Sequence, residues 1–85
     1  MKKLLLIVDP QVDFITGTLP VGGAAEAMDA LATYVKEHGD EYIVKIATSD
    51  WHPYHHCSFA DEGGQWPRHC VQHSVGAAIW ESLLV

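Results

Sequence analysis

Three patterns of apolar residues follow one another along the chain. Lys3 to Val8 carries the unbroken run Leu4-Leu5-Leu6-Ile7-Val8, which Asp9 and Pro10 end. An apolar run without alternation suits a strand covered on both faces, the habit of parallel sheets. Residues 9–23 are rich in Gly, Pro, Thr and Asp and read as a loop. From Ala24 to His38, Ala25, Met28, Leu31, Ala32 and Val35 recur at helical spacing as one stripe. Gly39 follows as the expected C-terminal cap, with Lys36 and His38 in the last turn complementing the helix dipole. Tyr42 to Thr48 is β-branched and apolar, a second strand. Strand, helix and strand joined by a short turn predict a right-handed βαβ unit with parallel strands.

Periodicity then stops. Residues 49–73 hold two of the three Trp, both Cys and five of the six His. Ser74 is the expected cap of a short helix through Gly76, Ile79 and Leu83. No internal repeat or low-complexity segment is visible.

Composition narrows the class. With 48% hydrophobic residues the chain is not of the disordered type. Five Lys+Arg against eleven Asp+Glu give a net charge of −6, so there is no basic stripe for nucleic acid. No apolar run reaches the roughly 18–20 residues that span a bilayer. The run after Met1-Lys2-Lys3 is shorter than the roughly seven residues of a signal sequence, so a cytoplasmic location is expected. Cys57 and Cys70 are too few for a disulfide scaffold and lack the Cys-x-x-Cys spacing of a zinc ribbon. Two parallel strands and one helix leave a sheet face and both edges uncovered. Leu4, Ile7, Ile43 and Ile46 or their neighbours should therefore keep an exposed side. Residues 1–85 are expected to be an incomplete part of one domain.

The candidate chemistry lies in the aperiodic stretch. Asp50, His52 and His56 occur within seven residues, and His69 follows thirteen after His56. One carboxylate and two or three imidazoles at a strand end suit a divalent transition metal. Exposed loop histidines are the alternative. Asp9 ends the first strand, where open α/β sheets place their crevices; a turn-forming Asp before Pro10 is the alternative there. Cys70 stands beside Arg68 and His69, but sequence neighbours usually point different ways, which favours a packed thiol.

The segments Leu-Leu-Ile-Val-Asp9-Pro-Gln11-Val-Asp13-Phe14, Gly17-Thr-Leu-Pro-Val21, Asp50-Trp-His52-Pro-Tyr-His-His56-Cys-Ser-Phe59 and Trp66-Pro-Arg-His69-Cys-Val-Gln72 resemble those of nicotinamidases. These are isochorismatase-like cysteine hydrolases. The resemblance runs from residue 3 to about residue 80 in the family's order. It implies a three-layer α/β/α fold with a central parallel sheet, here the first βαβ unit and the metal-binding loop. It implies hydrolysis of nicotinamide to nicotinate and ammonia in NAD salvage. Asp9 matches the aspartate that serves as base for a cysteine thiol. Asp50, His52, His56 and His69 match the ligands of one divalent ion, zinc before iron or manganese. Phe14 and Trp66 match aromatic walls of the substrate pocket, and Gln11 and Asp13 match structural partners of the opening loop.

The family's lysine on the third strand and its nucleophilic cysteine have no counterpart. Cys70 falls at the cysteine after the last ligand, and Lys45 belongs to the second strand. The expected enzyme needs its C-terminal half, with a homo-oligomer left open, and the isolated chain is expected to be inactive. A non-catalytic metal-binding module, or a sibling hydrolase of another small amide, stand as alternatives.

Overall fold

The computed structural model describes residues 1–84. Strand β1 (Leu4–Ile7) lies parallel to β2 (Val44–Ala47), with Leu4 opposite Val44 and Ile7 opposite Ala47. The pairing frays into Lys3 and Thr48: Ile43 N–H donates to the Lys3 carbonyl and Thr48 N–H to the Ile7 carbonyl, both at 2.9 Å. Between the strands run a single helical turn, α1 (Val12–Ile15), and the long helix α2 (Ala24–His38). Short 3-10 turns follow α2 at Gly39–Glu41 and complete the chain at Ala60–Glu62, Val75–Ala77 and Glu81–Leu83.

The stripe read from the α2 sequence is its more covered side: Ala25, Met28, Leu31, Ala32 and Val35 are half-buried, and no residue of the helix is fully buried. The helix ends as expected, with Gly39 as its C-terminal cap donating its N–H to the Val35 carbonyl. Gly39 has right-handed backbone angles (φ −60°) and carries the chain on into a 3-10 turn instead of reversing it. The Gly39 carbonyl accepts from Tyr42 N–H at 3.2 Å and from the Lys45 ammonium at 3.0 Å.

Two expectations are corrected. The loop 9–23 contains α1, a turn too short to show a 3.6-residue period. The helix expected from Ser74 is instead two separate 3-10 turns. Ser74 Oγ donates to the Val71 carbonyl at 2.7 Å and caps nothing.

The sheet does not form the core. Leu4 and Leu6 are each 54% exposed and Ile43 is 65% exposed, so the uncovered sheet face anticipated above is present. The Cα radius of gyration is 14.5 Å, where a closed domain of this length has about 12 Å. The fully buried side chains are Pro10, Gln11, Phe59 and Cys70, joined by Asp13, Ile15, His69 and Ala77. The tightest packing is thus among the segments at the carboxyl ends of the strands, which carry the polar chemistry.

Candidate metal centre and active site

Backbone pairing brings the distant site segments together. His52 N–H donates to the Cys70 carbonyl at 2.9 Å and Gln72 N–H to the His52 carbonyl at 2.8 Å. This bridge, parallel between His52 and Val71, sets His52 beside His69 across seventeen residues of sequence. Asp50 is fixed by Gln11, whose side chain accepts the Asp50 N–H at 2.9 Å and donates to its carbonyl at 2.8 Å.

Three of the four expected ligands converge. Asp50, His52 and His69 place one ligand atom each within 4.8 Å of one another, and His69 Nε2 lies 3.9 Å from Asp50 Oδ2. A carboxylate and two imidazoles at this spacing fit a divalent cation that keeps open positions for water or ligand. His56 is not in this trio, although its ring centroid is 4.9 Å from that of His52. Its Nδ1 is engaged by Ser58, through Oγ at 2.7 Å and N–H at 3.1 Å. His55 is paired with Glu62 and His73 packs edge-on to Trp51; both lie outside the trio.

Phe59, a motif residue with no role expected from the sequence, is the post around which the site is built. It is completely buried, and its ring lies 5.4, 5.9 and 5.5 Å from those of His52, His56 and His69. Edge-to-face packing of this kind fixes ring planes as well as positions. Arg68 braces the outside of the loop. Its guanidinium lies 4.0 Å from the Tyr54 ring centroid, donates from Nε to the Tyr54 carbonyl at 2.7 Å, and meets Asp61 at 2.7 Å. That hydrogen bond holds the Asp61 carboxyl below its ordinary pKa.

The trio opens on a cavity of about 380 Å³ whose walls include Phe14, Leu19, His56, Ser58 and Trp66. Phe14 and Trp66 thus flank the ligand trio, and Leu19 and Ser58 are wall residues that sequence reasoning passed over. Asp9 lines an adjoining cavity of about 240 Å³ that shares the Phe14 wall. Phe14 lines both cavities, so the Asp9 crevice lies on the side of the metal loop.

Asp9 is held in a left-handed conformation (φ 50°) that is strained for a non-glycine residue. Thr48 locks it there, donating from Oγ1 to Asp9 Oδ1 at 2.6 Å while accepting the Asp9 N–H at 2.9 Å. Lys45, spent on the Gly39 carbonyl, is not its partner.

Cys70 is a packed thiol. It is completely buried, and burial, followed by the charges of Asp13, Asp50 and Asp9, pushes its pKa up to about 12. Its backbone also has positive φ (49°), stabilised by N–H donation to the buried Asp13 carboxylate at 2.8 Å. Asp13 therefore acts at a distance from its own loop, securing the residue next to His69.

No family model matches the chain. The nicotinamidase of Escherichia coli K12 is 33% identical over 96 residues, covering 91% of this chain and 44% of that protein. The zinc complex of the pyrazinamidase of Pyrococcus horikoshii superposes with a TM-score of 0.84 at 39% identity, over 93% of this chain and 45% of that one. PnC1 from L. infantum, in complex with nicotinate, gives a TM-score of 0.77 at 41% identity, over 96% and 41%. The chain thus spans about half the length of the relatives it matches.

Proposed function

We propose that the chain, similar to nicotinamidases over about half of their length, is part of an enzyme of that family and forms the metal and ring-binding half of its amidase site. The substrate would be nicotinamide or a similar flat aromatic carboxamide, cleaved to the acid and ammonia. The observation that carries this reading is the convergence of Asp50, His52 and His69 at a cavity flanked by Phe14 and Trp66. Aromatic walls bind a planar heteroaromatic ring through stacking and burial. Zinc in the Pyrococcus horikoshii relative and nicotinate in the L. infantum relative are the chemistry such a site would take. Bound to the trio, a divalent ion supplies a Lewis-acidic point on which a ligand nitrogen or oxygen rests.

Asp9 is the acid–base group of this reading. Thr48 occupies Oδ1 and aims the carboxylate, leaving Oδ2 to accept the proton of a thiol supplied by the remainder of the domain. The sulfur then attacks the amide carbon, nitrogen leaves with a proton as ammonia, and water releases the acid from the thioester. Cys70 takes no part, because its thiol is buried and neutral.

That same observation favours a second reading for the 85 residues alone, a metal-binding unit without catalysis. The test separates the two. The isolated chain should bind zinc and release no ammonia from nicotinamide. Joined to the C-terminal half of a nicotinamidase it should release ammonia, and Asp9→Asn should then lower turnover by about 100-fold or more with zinc binding kept. Absence of zinc binding would defeat both readings; near-unchanged turnover of the Asn variant would return Asp9 to the role of a turn residue.

A further inference from the structure

The imidazole nitrogens of the site have partners of opposite kinds. Nδ1 of His52 faces the His69 carbonyl at 3.0 Å, and Nδ1 of His69 faces the Pro67 carbonyl at 2.7 Å. A carbonyl only accepts, so in each ring Nδ1 carries the hydrogen and Nε2 keeps its lone pair. This is the tautomer a metal ligand needs. His56 is wired the other way. Its Nδ1 meets two groups of Ser58, the hydroxyl at 2.7 Å, which can turn to donate or accept, and the backbone N–H at 3.1 Å, which only donates. In the neutral His56 ring the hydrogen therefore sits on Nε2, the atom across the ring from Ser58.

Ser58 is not free to turn away. Its carbonyl accepts N–H groups from both Gln65 (3.1 Å) and Trp66 (3.0 Å), and Phe59 bridges to Trp66. Gly64 presses against it so closely that a Cβ there would stand 2.1 Å from the Ser58 carbonyl carbon. Inverting the His56 tautomer would set N–H against N–H and leave a half-buried donor without its acceptor.

We propose that His56 is the hydrogen-bond donor of this site and not a ligand of the metal. It presents Nε2–H, beside the Asp50–His52–His69 trio, to an oxygen on the open side of the ion. That oxygen belongs to bound water or to a ligand carboxylate. Ser58 is the positioning residue that fixes the tautomer. The donor role rests on the metal reading of the site; the tautomer does not.

Long-range ¹H–¹⁵N spectra of the histidine rings decide it, taken on the 85-residue chain at about pH 8, above the ordinary histidine range. His52 and His69 should show the Nδ1–H pattern and His56 the Nε2–H pattern, in the wild type and in Ser58→Ala, which keeps the backbone donor. Added zinc should move Nε2 of His52 and His69 as ligands while His56 keeps its Nε2 proton. His56→Ala should weaken zinc binding by about 10-fold, the effect of losing an outer partner, and by clearly less than His52→Ala does. A response of the His56 Nε2–H to zinc alone assigns the acceptor to water; a response only after nicotinate is added assigns it to a carboxylate.

An Nδ1–H pattern at His56, zinc coordination by its Nε2, or no response of that group to zinc and nicotinate would each overturn the proposal. If zinc moves none of the rings, the metal reading fails with the donor role, while the spectrum without metal still judges the tautomer.

Discussion

Gln11 grips the backbone of Asp50 from both sides. Its Oε1 accepts the Asp50 N–H at 2.9 Å and its Nε2 donates to the Asp50 carbonyl at 2.8 Å, so one amide side chain imitates a strand across 39 residues. The second hydrogen of that amide goes to the Ala77 carbonyl at 3.0 Å. Gln11 is completely buried, and its hydrogen-bonding capacity is spent on positioning the carboxylate of the metal trio.

Gln11→Ala removes this grip and leaves the Asp50 backbone groups without their partner. The cost should be about 2–4 kcal/mol of stability, from lost hydrogen bonds and the cavity left behind. Zinc affinity should also fall by about 10–100-fold, the usual effect of losing a group that orients a ligand. Urea unfolding and zinc titration of the variant check both.

Asp13 shows how tightly the region is packed. A Cβ on Gly76 would come within 2.0 Å of its Oδ2, and one on Gly17 within 2.1 Å of its Oδ1. Gly76→Ala must push the carboxylate off the Cys70 N–H and should cost about 1–3 kcal/mol. Gly22→Ala, with nothing within 4 Å, should leave stability unchanged within about 0.5 kcal/mol. Paired melting curves of the two variants make the comparison.

The two cysteines should differ sharply toward iodoacetamide. Cys57 is exposed and should react in the native chain. Cys70 has a pKa raised to about 12, so its neutral form persists and native-state alkylation should not rise between about pH 7 and 9. Mass spectrometry should find one modified site in the folded protein and two after denaturation.

Arg68 and Asp61 separate bracing from charge pairing. Asp61→Asn weakens a solvent-exposed ion pair and should barely move the melting temperature. Arg68→Ala also removes the bond to the Tyr54 carbonyl and the stack on its ring, and should lower the melting temperature clearly. Arg68→Lys should fail to restore it, since an ammonium has neither the planar face nor the forked donors. Thermal unfolding of the three variants side by side gives the order.

Local sequence determined the elements that local forces make. The Ala25–Val35 stripe predicts its own covered side, because side chains three and four apart share a helix face wherever the helix lies. The apolar runs around Ile7 and Ile46 predict parallel strands, since such runs need cover on both faces. The ordered motifs from Asp9 to Gln72 were enough to bring the nicotinamidases into view. Gly39 caps the helix where the end of the stripe predicts, but the Lys45 ammonium that holds its carbonyl, six residues on, has no local pattern to announce it. Only the tertiary structure decided which histidines can share an ion. His52 and His56 stand four apart in an irregular loop, where spacing carries no direction. The His52 ring nitrogen is assigned by a carbonyl seventeen residues away, at His69, and that of His56 by the N–H of Ser58, two residues on but braced by the Gln65–Trp66 segment. A hydrogen-bond partner is donor or acceptor by chemistry, but which partner a ring meets is set by how the chain closes on itself.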